Sequence, residues 1–325
     1  MFKRKKESVK ETRKKFHWKR WVVLLLIGYF AVPIGYYLLP WSTKKSTVYA
    51  CCPKMHKFLS LKGLRMMQRI DGLGVGTDCE TVVDSSFKGE KTFGGLPVSY
   101  SFTPHILKNK SYVVGYSEKL KNPRWVAYRV FREDTFKIEK RPSFRVDVRT
   151  RAHVLPSDYK KSGYDRGHMA PNYSIARCYG RSGQRETFLM SNIIPQKPRV
   201  NRYIWRDLEK LIIKDYVKDY GEIWVMTGPV FKEPVKRLKS GVAIPSGFFK
   251  IIADKSGNKL RVQAFLIPAF IPPYSRLKPF LVSVDTIEEL TQIDFFPNLS
   301  PSDQEKIESK VSRMWPWWGP LTLFD

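Results

Sequence analysis

Cysteine is scarce in this chain. Four residues, Cys51, Cys52, Cys79 and Cys178, among 325 exclude a disulfide framework as the source of stability, and a chain of this length buries an ample core without one. None has the C-x-x-C spacing of a zinc site. Outside the cytoplasm Cys79 could pair with Cys51 or Cys52, and the sequence does not choose between them. Acidic residues are also few, 30 Asp and Glu against 58 Lys and Arg, a formal charge of +28. Internal repeats are absent.

The positive excess is not confined to one end. Residues 1 to 20 hold ten Lys or Arg and two Glu, which leaves 48 basic against 28 acidic residues, +20, for the remainder. A field of that sign attracts polyanions, with strong salt dependence and little sequence information. It also suits an acidic lipid surface, so it supports a nucleic-acid partner without establishing one.

One apolar run is long. Trp21 to Trp41 is 21 residues without a charge, about 30 Å as a helix and enough to span a bilayer. Ten basic residues precede it and only Lys44 and Lys45 follow closely, so the positive-inside rule keeps the tail cytoplasmic and sends the rest across. Pro33 would kink this helix without preventing insertion. A cleaved signal peptide is the rival, but the run exceeds the usual apolar region and no small-x-small site directly follows it. Val48-Tyr-Ala-Cys51 resembles a lipoprotein cleavage site, yet it lies beyond Lys44 and Lys45. The expected organisation is a basic cytoplasmic tail (1–20), a transmembrane helix (21–41), a juxtamembrane linker (42–93), a main folded domain (94–300) and an aromatic C-terminal tail (301–325). Within the linker, Phe58 to Ile70 suits a short basic helix, and the Gly/Asp/Ser-rich stretch Asp71 to Gly95 reads as a loop or tether. The tail from Met314 to Asp325 is unusually aromatic and is expected to pack on the core.

The chemistry is concentrated in Tyr164-Asp-Arg-Gly-His-Met-Ala-Pro171, with Asn201 following His168 by 33 residues and Glu209 eight further on. A base, a neutral oxygen ligand and a carboxylate in this order suit metal-assisted phosphodiester cleavage. The diester's negative charge repels hydroxide, so hydrolysis at neutral pH needs a base to activate water and cations to absorb developing charge. Histidine is substantially neutral at pH 7, which makes His168 the candidate base. Magnesium takes oxygen ligands and keeps several waters, so Asn201 is a candidate ligand. Ile204, Trp205, Leu208, Leu211 and Ile212 recur at helical spacing, predicting a helix over 201–214 that Asn201 opens. At about 100° per residue, positions 201, 205 and 209 share one flank, and Glu209 can hold waters of an ion at Asn201.

On these residues the chain resembles the DNA/RNA non-specific endonucleases of the ββα-metal (His-Me finger) class, the family that includes secreted bacterial nucleases and mitochondrial endonuclease G proteins. Matching blocks run in order: Asn122 to Tyr128, Tyr164 to Pro171, Phe188 to Gln196, Asn201 to Glu209, Trp224 to Val230, Ile244 to Lys250, Ala264 to Pro268 and Ile287 to Pro297. The resemblance implies roles for particular residues. His168 would be the general base, Asn201 the Mg2+ ligand (with Mn2+ a substitute), Glu209 a holder of metal-bound water, and Arg166 a phosphate contact. It also implies an upstream arginine, best matched by Arg141 although Arg145 and Arg149 lie close by, and a substrate- or metal-shell role for Asn192. His17, His56, His105 and His153 are expected to be incidental.

The fold expected is α+β. Val113 to Tyr116, Trp125 to Phe131, Ile223 to Met226, Phe248 to Ile252 and Val262 to Ile267 read as strands, giving a central, mainly antiparallel sheet flanked by helices. The resemblance adds a ββα finger in which His168 ends a strand and Asn201 starts the helix. The function expected is a membrane-anchored, Mg-dependent, sequence-non-specific endonuclease acting on DNA and RNA, its catalytic domain exoplasmic or, in an inner mitochondrial membrane, facing the intermembrane space. The lipid bilayer is a partner through residues 21–41. The alternative is an inactive nucleic-acid-binding protein on the same scaffold.

Overall fold

The computed structural model describes residues 80–82, 91–99, 101–132, 136, 138–256, 259–272 and 275–315. The expected cytoplasmic tail, transmembrane run 21–41 and basic helix 58–70 lie outside these residues, as do Cys51, Cys52 and Cys79. Among the described residues no helix is long and apolar enough to cross a membrane.

The elements in chain order are β1 (Glu80–Val82), β2 (Val98–Ser99), β3 (His105–Lys108), β4 (Tyr112–Ser117), β5 (Asn122–Phe131), β6 (Asp165–His168), α1 (Asn172–Thr187) and β7 (Ile193–Gln196). A continuous helical run follows, π-helical over Val200–Trp205 and Leu211–Tyr216 and α-helical over Arg206–Lys210 and Val217–Tyr220, which we label α2. Then come β8 (Glu222–Val230), β9 (Gly247–Ser256), β10 (Lys259–Pro268), β11 (Leu281–Val282), α3 (Val284–Thr291), β12 (Ile293–Asp294) and α4 (Pro301–Glu308). The main sheet runs β1-β10-β9-β8-β5-β4-β3 with β11 also on β10, and every pairing in it is antiparallel.

All five strands expected from the β-branched and aromatic runs are present, inside β4, β5, β8, β9 and β10. β1 corrects the reading of 71–95 as loop throughout: Thr81 pairs with Leu260 at the sheet edge, where β10 offers backbone partners that no local pattern reveals. α2 extends past the expected end at Lys214 to Tyr220. It stops at Gly221, whose φ of 81° is cheap for glycine alone.

β8 and β9 are buried on both faces, which is why Ile223 to Met226 is a continuous apolar run. On one face Tyr128, Val225, Phe248 and Ile252 meet Ile204, Trp205, Leu208 and Ile212 of α2. On the other, Trp125, Trp224, Met226 and Phe249 meet Ile287 of α3 and Ile307 of α4. Trp315, at the start of the aromatic tail, packs on the α2 face with ring centroids 5.0 Å from Tyr216 and 5.5 Å from Tyr220; the tail beyond it lies outside the described residues.

Candidate active site

β6 and β7 form a separate antiparallel pair, with Asp165 opposite Gln196 and His168 opposite Ile193. Four residues after β7 the chain enters α2, so strand, strand and helix come from one short span carrying both His168 and Asn201. Gly167 is required by close approach: a Cβ there would lie 2.0 Å from the Oε1 of buried Gln196. Side chains alternate along a strand, so Asp165 points away from the side taken by Arg166 and His168. Its carboxylate ties β6 to α2. Asn201 Nδ2 donates to Asp165 Oδ2 at 3.0 Å, and Arg202 donates to both oxygens at 2.8 Å. Burial alone would raise the Asp165 carboxyl, but the bonds from Arg202 and Asn201 prevail and hold it below its ordinary value. Asn201 thus has its amide nitrogen committed and its Oδ1 available as a ligand.

An open cavity of about 460 Å³ is lined by Arg141, Phe144, Tyr159, Tyr164, Asp165, Arg166, Asn201 and Arg202. The Arg166 guanidinium lies 4.7 Å over the Phe144 ring, and His168 packs against the same ring at 5.4 Å and against Phe188 at 4.9 Å. The His168 ring is half-buried, and its Nε2 is buried without a hydrogen-bond partner among the described residues. Burial first, and then the positive Arg141, push its pKa down to about 3. The imidazole is therefore neutral at physiological pH, the form a base requires.

The three upstream arginines have different surroundings. Arg149 is clamped on Asp147, donating at 2.8 and 2.6 Å, and Arg145 pairs its backbone with Leu189. Arg141 lines the cavity, and its charge acts on both His168 and Glu209.

Glu209 lies two turns beyond Asn201, with Trp205 between them. Its Oε1 is also buried without a partner among the described residues. Burial raises its carboxyl, against the opposing influence of Lys250, Trp205 and Arg141. Lys250 was not singled out in the sequence. It is fully buried, its Nζ 4.3 Å over the Trp205 ring and 3.4 Å from the Tyr128 hydroxyl, and burial lowers its pKa against the charge of Glu209. The available signal was a lysine between Phe248 and Ile252 on the inward alternation of an apolar strand.

Asn192, given a substrate- or metal-shell role by the resemblance, sits against the backbone that follows His168. It is fully buried, its Oδ1 accepting from Ala170 N at 2.8 Å and its Nδ2 donating to Ala170 O and Thr187 O. Those bonds hold the backbone just after His168. His105 bonds Glu118 at 3.0 Å, on the sheet's edge strand. Among the described residues, one acidic group has ligand spacing, Asp285, Glu288 and Glu308. It belongs to α3 and α4, on the sheet face opposite α2, and Glu288 already accepts from Phe295 N at 2.7 Å.

The family model for DNA/RNA non-specific endonucleases matches residues 91–302, a span holding every residue of this cavity. The chain belongs to that family. Among these endonucleases, a nuclease of Nostoc sp. is 34% identical over 230 residues, covering 67% of this chain and 82% of its own length. Human mitochondrial endonuclease G is 30% identical over 230 residues, covering 65% and 74%. A crystal structure of an EndoG/EndoGI complex superposes with a TM-score of 0.57 at 25% identity, over 65% of this chain and 90% of that one. The chain is a nucleic-acid-hydrolysing enzyme on a mixed α+β fold shared with these endonucleases.

Proposed function

We propose that the enzyme hydrolyses phosphodiester bonds of DNA and RNA with little sequence preference, dependent on Mg2+ with Mn2+ as substitute. The observation that carries this reading is convergence: Arg141, Arg166 and Asn201 line one cavity, His168 packs on its Phe144 wall, and two buried polar atoms, His168 Nε2 and Glu209 Oε1, lack partners among the described residues. Such atoms cost about 1–3 kcal/mol each unless something fills the site. The donor set fits magnesium, because one amide oxygen and one carboxylate suit an ion that keeps most of its water. Asn201 would hold the ion directly and Glu209 would accept hydrogen bonds from its hydration shell; when bound, the ion neutralises charge developing on the phosphate.

The chain's own residues do the rest. Neutral His168 accepts a proton at Nε2 from the water that attacks phosphorus. Arg166 and Arg141 bind the phosphate and orient it for in-line displacement. Asp165 fixes the Asn201 amide. By analogy with the family, the products carry 5′ phosphates. Residues 21–41 anchor the enzyme with its nuclease domain on the exoplasmic side; several relatives are named mitochondrial, and in the inner mitochondrial membrane the same topology faces the intermembrane space. Incubating the protein with plasmid and RNA, in magnesium or in chelator, tests the reading. Magnesium-dependent degradation that His168→Ala abolishes is expected, and undiminished degradation by that variant would refute the assigned base.

A further inference from the structure

The exposed side of α2 carries a regular feature that the catalytic reading does not use. Arg202, Arg206, Lys210, Lys214 and Lys218 stand four residues apart, every member of the row is basic, and every one is exposed. Residues at i, i+4 and onward form one ridge of a helix, inclined roughly 26° to its axis. At the α-helical rise of about 1.5 Å per residue, an upper bound where the turns are π-helical, the row extends at most about 24 Å, the axial length of up to about seven phosphates of a duplex strand.

The row is not a set of saturated ion pairs. Arg202 is bonded to Asp165, and Arg206 and Lys210 share Asp207 at 3.4 and 3.7 Å. Lys214 and Lys218 have no ion pair among the described residues. Tyr203, beside the row, is 53% exposed, with the Arg206 guanidinium 5.7 Å over its ring. An exposed aromatic among cations suits a nucleobase, which stacks without regard to sequence. The row also has a direction, since its first member, Arg202, lines the catalytic cavity.

We propose that this ridge of α2 is a track for the substrate's phosphate backbone, leading from the cavity at Arg202 past Tyr203 to Lys218. This deepens the nuclease reading and rests on it: the occupant is the part of the same polynucleotide that lies beyond the bond being cut. The ridge grips the strand through charge, and its contribution to affinity declines with salt.

The test is a salt titration of binding, by anisotropy of a labelled single-stranded oligonucleotide long enough to cover the helix, on the full chain in chelator. The double variant Lys214→Ala/Lys218→Ala is compared with Lys306→Ala/Lys310→Ala, which removes equal charge from the other side of the sheet. Alanine favours helix, and thermal melting checks that both variants fold. Loss of two phosphate contacts should make the slope of log K against log salt shallower by about 1.4, with affinity falling several-fold at low salt, and the control should change neither by half as much. Equal changes in the two variants, or none in the first, overturn the proposal. Cleavage by the wild type in magnesium is scored separately, so its failure counts against the nuclease reading, whereas a wild type that cleaves beside an unchanged Lys214/Lys218 variant counts against the track alone.

Discussion

Burial and Arg141 hold the imidazole of His168, the proposed base, uncharged at physiological pH. Removing a positioned base costs about 10²–10⁴ in rate, so His168→Ala should lose that factor in single-turnover cleavage while binding oligonucleotide in chelator as the wild type does. Asp165→Ala should act through Asn201. With the amide no longer fixed by its 3.0 Å bond, Mn2+ affinity measured by calorimetry should fall about 10–100-fold, the usual effect of losing a partner that orients a ligand. Glu209 gives a prediction with a definite sign. Its folded pKa is raised, so the folded state holds that proton more tightly than the unfolded state. The stability this contributes is present below the ordinary carboxylate range and is lost as pH rises through the raised value. In chelator Glu209→Gln should therefore melt about 2–4 °C above the wild type at pH 8, if it recovers about 1 kcal/mol, and the gap should close toward pH 4. His168, Asn201 and Glu209 could be proposed from the sequence because their types and spacing suggest a chemistry, and Arg166 because the resemblance implies it. The roles of Asp165 and Lys250 were not, because each depends on a partner 36 or 41 residues away whose approach only the fold creates.

At the scale of elements, the site depends on β6 and β7 lying close enough for α2 to follow at once. Gly167→Ala tests this directly, since its Cβ would meet Gln196 Oε1 at 2.0 Å and Cδ at 2.5 Å in a fully buried setting. Overpacking of this kind costs about 1–3 kcal/mol, and it should appear in denaturant melts together with reduced cleavage, because β6 carries His168. Trp205 secures the other side, pressed on Phe248 and Lys250 of β9. The strands from β4 to β10 were readable because they are long and rich in β-branched and aromatic residues. β1 was not, since three residues in a polar stretch become a strand only where β10 has an edge to pair. The helix start was legible from the apolar period, but its extension to Tyr220 was not: Tyr216 and Val217 are buried on the α2 face of the sheet, and that contact is tertiary.

For the molecule as a whole, charge and fold separate cleanly. The excess of +28 favours a polyanionic partner without saying where it binds; the cavity and the proposed α2 track assign that position. Nuclease activity should fall steeply with added salt at fixed magnesium, because log K for a phosphate-binding surface declines linearly with log salt. The central claim is that one divalent ion sits between β6 and α2, held through Asn201. Manganese scatters anomalously, so a difference map from crystals soaked in Mn2+ locates the ion without reference to activity. The account predicts a peak bonded to Asn201 Oδ1 in the cavity shared with Arg141 and Arg166. A peak at Asp285, Glu288 and Glu308 with none at Asn201 would contradict it.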